Sequence, residues 1–221
     1  MTILDGEARR RLTALAYELD DILAEAEPTP VLPVEKGPKL GHRLAVIVGH
    51  SEARPGAAGL PPVGEREYAW NRGLAGFMES AARHHEALAL RVFNRDRGGL
   101  RGAYGRARDW RTDAAIELHF NAAASAEASG TETIYGDRER DGGFAAAIQA
   151  AMVGVLGLRD RGCKQPWTGR GAVNLSLLDV PSVIVEPGFG SNRRDCRVMH
   201  DRRAALAAAL VAAADGYLKS L

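Results

Sequence analysis

Three short apolar runs in this chain stop at residues of the kinds that bind metal ions or carry protons. LAVIVGH ends at His50, AAIELH ends at His119 and VPSVIVE ends at Glu186. Short, nearly continuous apolar runs are typical of parallel strands that are covered on both faces. Because ligand sites in such sheets lie beyond the carboxyl ends of the strands, we expect these three side chains to converge at one edge.

From residue 44 onward, strand and helix signals alternate along the chain. This alternation predicts an α/β fold: a single three-layer domain with a mostly parallel, twisted sheet flanked by helices. We expect strands over 44–49, 88–94, 114–120, 131–135 and 182–186. We expect helices over 65–83, 102–111, 141–156 and 201–219. In the first of these helices the buried stripe is predicted to contain Tyr68, Leu74 and Phe77.

The first 43 residues are expected to form an extension outside this domain. Leu12, Leu15 and Leu19 recur at helical spacing among charged residues, which predicts a helix over 5–26. The following stretch, PTPVLPVEKGPKLGHR, is rich in proline and glycine, which disfavour helix and are typical of an extended linker. The sequence therefore predicts a helix and Pro-rich linker over 1–43 and the α/β domain over 44–221.

Composition argues against several classes of protein. The 221 residues carry a formal net charge of only +1, whereas nucleic-acid-binding proteins normally show a basic surplus. Cys163 and Cys196 are a poor basis for a disulfide framework. The N-terminus has no apolar signal core, and the apolar run over 204–214 is too short to cross a bilayer. We therefore expect a protein made in the cytoplasm without a signal peptide and without membrane insertion, while its oligomeric state stays open.

The expected edge of the sheet collects imidazole and carboxylate groups. His50 closes the first strand, and alternation along IELHF places Glu117 and His119 on one face of another strand. Glu65 and Glu67 open a helix, and spacing alone does not distinguish them; the helix dipole favours acidic residues there in any case. Two histidines and one glutamate around an open position are the ligands of a catalytic zinc site. The compact motifs HExxH, paired CxxC and GxSxG are absent.

Glu186 is the residue whose position most favours chemistry. It ends a hydrophobic strand and precedes Pro and Gly, so partial desolvation should raise its proton affinity and suit a general base. The structural alternative is a carboxylate that accepts hydrogen bonds from nearby backbone amides or pairs with Arg193 or Arg194. Asn121 is expected near the same cleft as a further polar group. The remaining histidines are expected at the surface: His42, His84, His85 and His200.

Four short motifs, in order, carry a resemblance to a known family. They are Gly-His at the first strand end, a Glu followed four residues later by Asn, His-x-Asn, and E-x-G-F-x-S-N. This order resembles the zinc-dependent N-acetylmuramoyl-L-alanine amidases of the amidase-3 group, AmiC/CwlV type, over roughly residues 44–219. The family usually has D-P-G-H-G around its first histidine, whereas this chain has I-V-G-H-S-E.

The resemblance implies a role for each matching residue. It implies Zn²⁺ ligands at His50, Glu67 and His119, with Asn71 four residues after Glu67 deciding against Glu65. It implies that Glu186 is the catalytic residue. Glu117, Asn121 and Arg106, the last standing where the family often has an arginine, are candidates for supporting the ligands or contacting substrate.

The implied reaction is cleavage of the amide between N-acetylmuramic acid and L-alanine in peptidoglycan, by a zinc amidase domain over 44–221. With no export signal expected, we favour a phage or prophage endolysin released by a holin, ahead of a toxin delivered by a secretion system. Two other functions remain alternatives. One is a zinc carboxypeptidase-like amidohydrolase acting on another peptide, and the other is a wall-binding module without activity.

Overall fold

The computed structural model describes residues 41–136, 139–165 and 171–221. The helix expected over 5–26 and most of the linker lie outside these ranges. Six strands form one sheet: β1 (His42–Val48), β2 (Leu88–Phe93), β3 (Ala114–Leu118), β4 (Thr131–Tyr135), β5 (Asp160–Lys164) and β6 (Ser182–Glu186). All five expected strands are present, and β4 and β6 have the predicted bounds.

The strands lie in the order β2-β1-β3-β6-β4-β5. The first four run parallel to one another, β4 pairs with β6 in the antiparallel sense, and β5 runs parallel to β4. The carboxyl ends of β1, β3 and β6 therefore meet at one edge. Because β4 runs the other way, its first residues start at that same edge.

In the described residues, six helices accompany the sheet: α1 (Glu67–Ala82), α2 (Gly99–Asp109), α3 (Glu139–Leu156), α4 (Ala172–Ser176), α5 (Arg193–Asp201) and α6 (Arg203–Lys219). Within the described ranges, no helix combines the length and apolar character needed to cross a membrane.

Two apolar clusters, one on each face of the sheet, confirm the three-layer architecture. Leu44, Val46 and Val48 of β1 join a large cluster with apolar residues of α1, α3 and α6. The alternate residues Ala45 and Ile47 face the other side, in a smaller cluster that contains α2. Since successive side chains of a strand point to opposite faces, the buried part of β1 must be apolar on both faces, as LAVIV is.

Three described elements were not expected from the sequence. β5 consists of Asp-Arg-Gly-Cys-Lys at the edge of the sheet, so it carries none of the apolar pattern that marks a buried strand. α4 has only five residues, and α5 is strongly polar. The helix expected over 201–219 begins at Arg203, because α5 ends just before it.

Two expectations about burial were wrong. Phe77 is 45% exposed on the outer side of α1, whereas Tyr68 and Leu74 are buried as expected. His85 was expected at the surface, but it is partly buried, and its Nδ1 lies 2.7 Å from Oδ2 of Asp215 in α6. His42 is the first residue of β1 and not part of a linker.

The Asp215 carboxylate gives a stability prediction. It accepts hydrogen bonds from His85 and Lys219, and these outweigh the burial that alone would raise its pKa, so the pKa is lowered. Asp215→Asn is expected to reduce the free energy of unfolding at pH 7 by about 1–2 kcal/mol. A lowered pKa stabilises the fold above the unfolded value of about 3.9 and loses that contribution as pH falls below it. Denaturant unfolding should show the two proteins converging below about pH 4; a constant difference would contradict the assignment.

Candidate functional site

Glu67 is the centre of a cluster at the carboxyl edge of the sheet. It is the first residue of α1 and is buried. Its Oε2 lies 3.1 Å from Nε2 of His50, and its Oε1 lies 2.8 Å from Nδ1 of His119. The backbone amides of Ala57 and Phe120 donate to the same carboxylate. One carboxylate thus bridges the two expected strand-end histidines.

This donor set fits a divalent metal ion. One ligand atom from each of His50, Glu67 and His119 can be chosen so that all three lie within 4.8 Å of one another. Bond lengths of about 2.0–2.2 Å around a tetrahedral ion place neighbouring ligand atoms roughly 3.3 Å apart. The contacts of 3.1 and 2.8 Å each involve a different oxygen of Glu67, and one ligand atom from each residue lies within 4.8 Å of the others, so the side chains would need to shift to share one ion.

The protonation states of the cluster also suit a metal. Burial lowers the pKa of His50, and the hydrogen bond to Glu67 only partly offsets this effect. Burial alone would raise the pKa of Glu67, but hydrogen bonds from His119 and His50 outweigh it and hold the pKa well below its usual range. A neutral imidazole and an ionised carboxylate are the forms in which these side chains bind metals.

The backbone around the cluster is shaped for close approach. His50 has a φ of +66°, in the left-handed region that non-glycine residues rarely adopt. Gly49 lies under the ring of His119: a Cβ there would sit 2.6 Å from Cε1 and Nε2 of that ring and would overlap the carbonyl oxygen of Leu118. Glycine at position 49 is therefore required by the packing of His119 against β1.

Gly49→Ala tests this packing. We expect the added methyl group to displace His119, to destabilise the protein by about 1–3 kcal/mol and to weaken metal binding. Gly76→Ala in α1 is the matched control, because a Cβ there meets nothing within 4 Å and should stabilise the helix by about 0.5–1 kcal/mol. Thermal unfolding and metal titration of both variants check the expectation. Equal metal affinity in Gly49→Ala and wild type would contradict the proposed contact.

Glu186 ends β6, the strand next to β3. The last paired positions of the two strands are Leu118 and Val185, and the amide of His119 donates to the carbonyl of Val185 at 3.1 Å. The next positions along both strands are therefore His119 and Glu186, at the same edge. Glu186 is partly buried, as expected for a carboxylate at the end of a buried strand.

Two of the other predicted residues lie beside this edge. Glu117 is fully buried, and its Oε1 lies 3.0 Å from Nε2 of His119. Asn121 donates from Nδ2 to Oε1 of Glu132 at 2.7 Å, and its backbone pairs with Gly188 and Gly190 beyond Glu186. The strand ends that carry His119 and Glu186 are thus joined by the backbone of Asn121.

Two other residues lie outside the cluster. Arg106 donates to the backbone carbonyls of Asn94 and Arg97 at 2.6 and 2.8 Å, which fixes the loop between β2 and α2. Glu65, which spacing alone left as an alternative to Glu67, instead pairs with Arg203 of α6 at 3.0 Å.

Asp195 was missed by sequence reasoning. It is fully buried in α5 and accepts hydrogen bonds from the hydroxyl of Ser129 and from the backbone amides of Gly130 and Phe189. It therefore links the loop after Glu186 to the start of β4. In the sequence it resembles an ordinary acidic residue in a first helical turn, so no local signal indicated this role.

Glu132 is a further buried carboxylate at this edge. It lies directly opposite Glu186 in the β4–β6 pairing. Arg161 and Lys164 of β5 donate to its Oε2 at 2.7 and 2.5 Å. These contacts and the one from Asn121 lower its pKa against the opposing effect of burial. The polar residues of β5 are the reason that the sequence did not predict this strand, and two of them compensate the charge of Glu132.

Comparison with known families bears on this arrangement. Residues 44–215 match the family model Amidase_3, described as N-acetylmuramoyl-L-alanine amidase. The chain belongs to this family. The match extends over most of the chain and covers every element that contributes to the cluster, so the family expected from the four motifs is confirmed. No curated protein sequence matches the chain.

Solved structures of amidases share the fold. The catalytic domain of the amidase CwlV from Bacillus (Paenibacillus) polymyxa var. colistinus has a TM-score of 0.71 and 22% identity, covering 80% of this chain and 98% of its own. An N-acetylmuramoyl-L-alanine amidase from Clostridium difficile 630 has a TM-score of 0.71 and 20% identity, covering 82% and 98%. The catalytic domain of the CD27L endolysin targeting Clostridia Difficile has a TM-score of 0.66 and 22% identity, covering 78% and 96%.

Family membership establishes the general activity. The chain is an enzyme of the N-acetylmuramoyl-L-alanine amidase family, a hydrolase that acts on peptidoglycan. The likenesses to solved structures support the α/β fold, at identities too low to carry the details of any one of those enzymes.

Proposed function

We propose that this amidase uses Zn²⁺ held by His50, Glu67 and His119, and that it cleaves the bond between N-acetylmuramic acid and L-alanine. The observation that carries the proposal is the position of Glu67. Each of its two oxygens faces one imidazole, at the edge of the sheet where β6 ends with Glu186. Three protein ligands are the number that leaves a catalytic zinc one open position.

The chemistry follows from the residues around that position. When bound, Zn²⁺ would act as a Lewis acid that polarises the scissile carbonyl and lowers the pKa of water. Glu186 would accept a proton from the attacking water on its carboxylate and then donate it to the leaving amine nitrogen of L-alanine. Buried hydrogen bonds fix Glu67 and His119, so they need little reorganisation during the reaction.

The environment of Glu186 supports its role as a base. The carboxylate opposite it in the sheet, Glu132, is compensated by Arg161, Lys164 and Asn121. An uncompensated neighbouring carboxylate would oppose ionisation of Glu186, because like charges raise each other's pKa. The contacts of Glu132 compensate its charge, so they reduce this repulsion on Glu186.

Mass spectrometry of digested peptidoglycan tests the bond specificity. We expect release of stem peptides that begin with a free L-alanine amine, and glycan strands that keep the lactyl carboxylate. Release of single C-terminal amino acids would identify a carboxypeptidase-like amidohydrolase instead. Binding to cell walls without release of any peptide would identify an inactive wall-binding module, and either result would overturn the proposal.

For the biological setting we propose a phage or prophage endolysin. The likeness to the catalytic domain of CD27L supports this choice, because CD27L is an endolysin whose catalytic domain has the same fold. The chain expressed in its host should then lyse the cells only when a holin is co-expressed. Delivery to a neighbouring cell by a secretion system, without a holin, would instead support a toxin.

A further inference from the structure

Glu117 is a carboxylate in an unusually dry position. It lies in β3, has no exposed surface, and stands on the face that packs against the cluster with Ala45, Ile47 and Tyr104. An ionised group in such a place is costly unless it is fully paired, and an apolar side chain would often be at least as stable there. We therefore expect the buried carboxylate of Glu117 to have a role beyond packing.

Three side chains from outside β3 support this carboxylate. The hydroxyl of Tyr104 in α2 donates to its Oε2 at 2.7 Å. Nδ2 of Asn174 in α4 lies 2.8 Å from Oε2 and 3.1 Å from Oε1. Arg95, in the loop that Arg106 holds, forms an ion pair with Oε1. Two helices and a loop thus converge to hold the Glu117 carboxylate in place.

Glu117 also contacts the imidazole of His119. The imidazole lies between two carboxylates, with Nδ1 2.8 Å from Glu67 and Nε2 3.0 Å from Glu117. A neutral imidazole carries one N–H, and the nitrogen without it is the one that binds a metal. Once Glu67 serves as a metal ligand, it would no longer accept a hydrogen bond from Nδ1. The carboxylate at Nε2 would then favour the proton on Nε2 and leave the lone pair on Nδ1, the side of Glu67 and His50.

We infer that Glu117 is a positioning residue for the metal centre: it fixes His119 in the tautomer and ring orientation whose Nδ1 binds the ion. Arg95, Tyr104 and Asn174 hold the carboxylate for this task. The inference rests on the proposed ligand set and adds to it the group that prepares one ligand. Removal of such an outer partner typically weakens metal affinity about 10–100-fold.

Zinc affinity, measured by competition with a chelator, tests the inference. Glu117→Gln keeps the size of the side chain but loses its charge, and we expect zinc binding to weaken about 10-fold or more. Glu127→Gln is the matched control, because it makes the same change at an exposed acid in the loop between β3 and β4; its zinc affinity should stay within about 3-fold of wild type. Thermal unfolding of both metal-free variants checks that each is folded.

These measurements distinguish the positioning role of Glu117 from the proposed set of zinc ligands. Unchanged zinc affinity in folded Glu117→Gln, or an equal loss in Glu127→Gln, overturns the positioning role while leaving the ligand set standing. A wild-type protein that binds no zinc overturns the proposed function itself. A further measurement needs no variant: nitrogen-15 NMR of the zinc-loaded protein should show the His119 proton on Nε2. A proton on Nδ1 of His119 would overturn the inference.

Discussion

Glu186→Gln is expected to bind zinc as the wild type does and to lose at least about 1,000-fold of its turnover, since general acid–base catalysis contributes roughly 10²–10⁴-fold. The amide keeps the size of the side chain but cannot accept the proton from water. Glu186 lies on β6 and the three expected ligands lie on β1, α1 and β3, so the substitution leaves the ligand cluster unchanged. Turnover should be measured as stem peptide released per minute, with zinc content measured on the same sample.

Glu127→Gln is the matched control for this variant. Glu127 is an exposed acid in the loop between β3 and β4, so the same change of charge should leave turnover unaffected. Wild-type-like turnover in Glu186→Gln would remove Glu186 as the base. Loss of zinc together with activity would instead place this carboxylate among the ligands.

His119→Ala is expected to lose the metal itself. The imidazole is one of three expected ligands, so its removal should cost more than the roughly 100-fold that loss of an outer partner can cost. Zinc content after dialysis, determined by elemental mass spectrometry, should fall to background. The metal-free variant should remain folded, because the polar groups of its neighbours Glu67 and Glu117 keep other hydrogen bonds.

His84→Ala serves as the control for metal loss. His84 is exposed after α1 and lies away from the edge of the sheet that carries the cluster. It should keep full zinc content and full turnover. Zinc at wild-type occupancy in His119→Ala would defeat the ligand set, whatever the activity of that variant.

Much of the fold could be predicted because a strand that is buried on both faces of the sheet has apolar residues at successive positions. LAVIV contacts apolar layers on both faces of the sheet, so its sequence is apolar throughout. VIV of β6 is also apolar and buried, so the ends of both runs stand out. β5 lies at the edge, so burial does not impose an apolar pattern on its five residues. Its pairing with β4 depends on backbone hydrogen bonds, which leave no comparable mark on sequence.

The positions of His50, His119 and Glu186 at strand ends could be predicted for the same reason. The choice of Glu67 over Glu65 could not be made from local pattern, since both open the same helix, and it came from the family motif with Asn71. In the structure Glu65 pairs with Arg203, a residue 138 positions away. Contacts at such separations depend on how whole elements pack, and a single sequence does not record them.

The partners of Glu117 illustrate the same limit. Alternation placed it on the face of His119, and the structure shows this contact. Arg95, Tyr104 and Asn174 come from three different elements and carry no motif that would group them. The buried polar network around a site is therefore the part that required the three-dimensional arrangement.

Anomalous diffraction from zinc-loaded crystals at the zinc absorption edge is the most direct test of the proposed metal site. It should show one strong peak bonded to His50, Glu67 and His119, with Nδ1 of His119 facing the ion and one coordination position open toward Glu186. A peak held by other residues, or the three side chains turned away from a shared ion in zinc-loaded protein, would contradict the account.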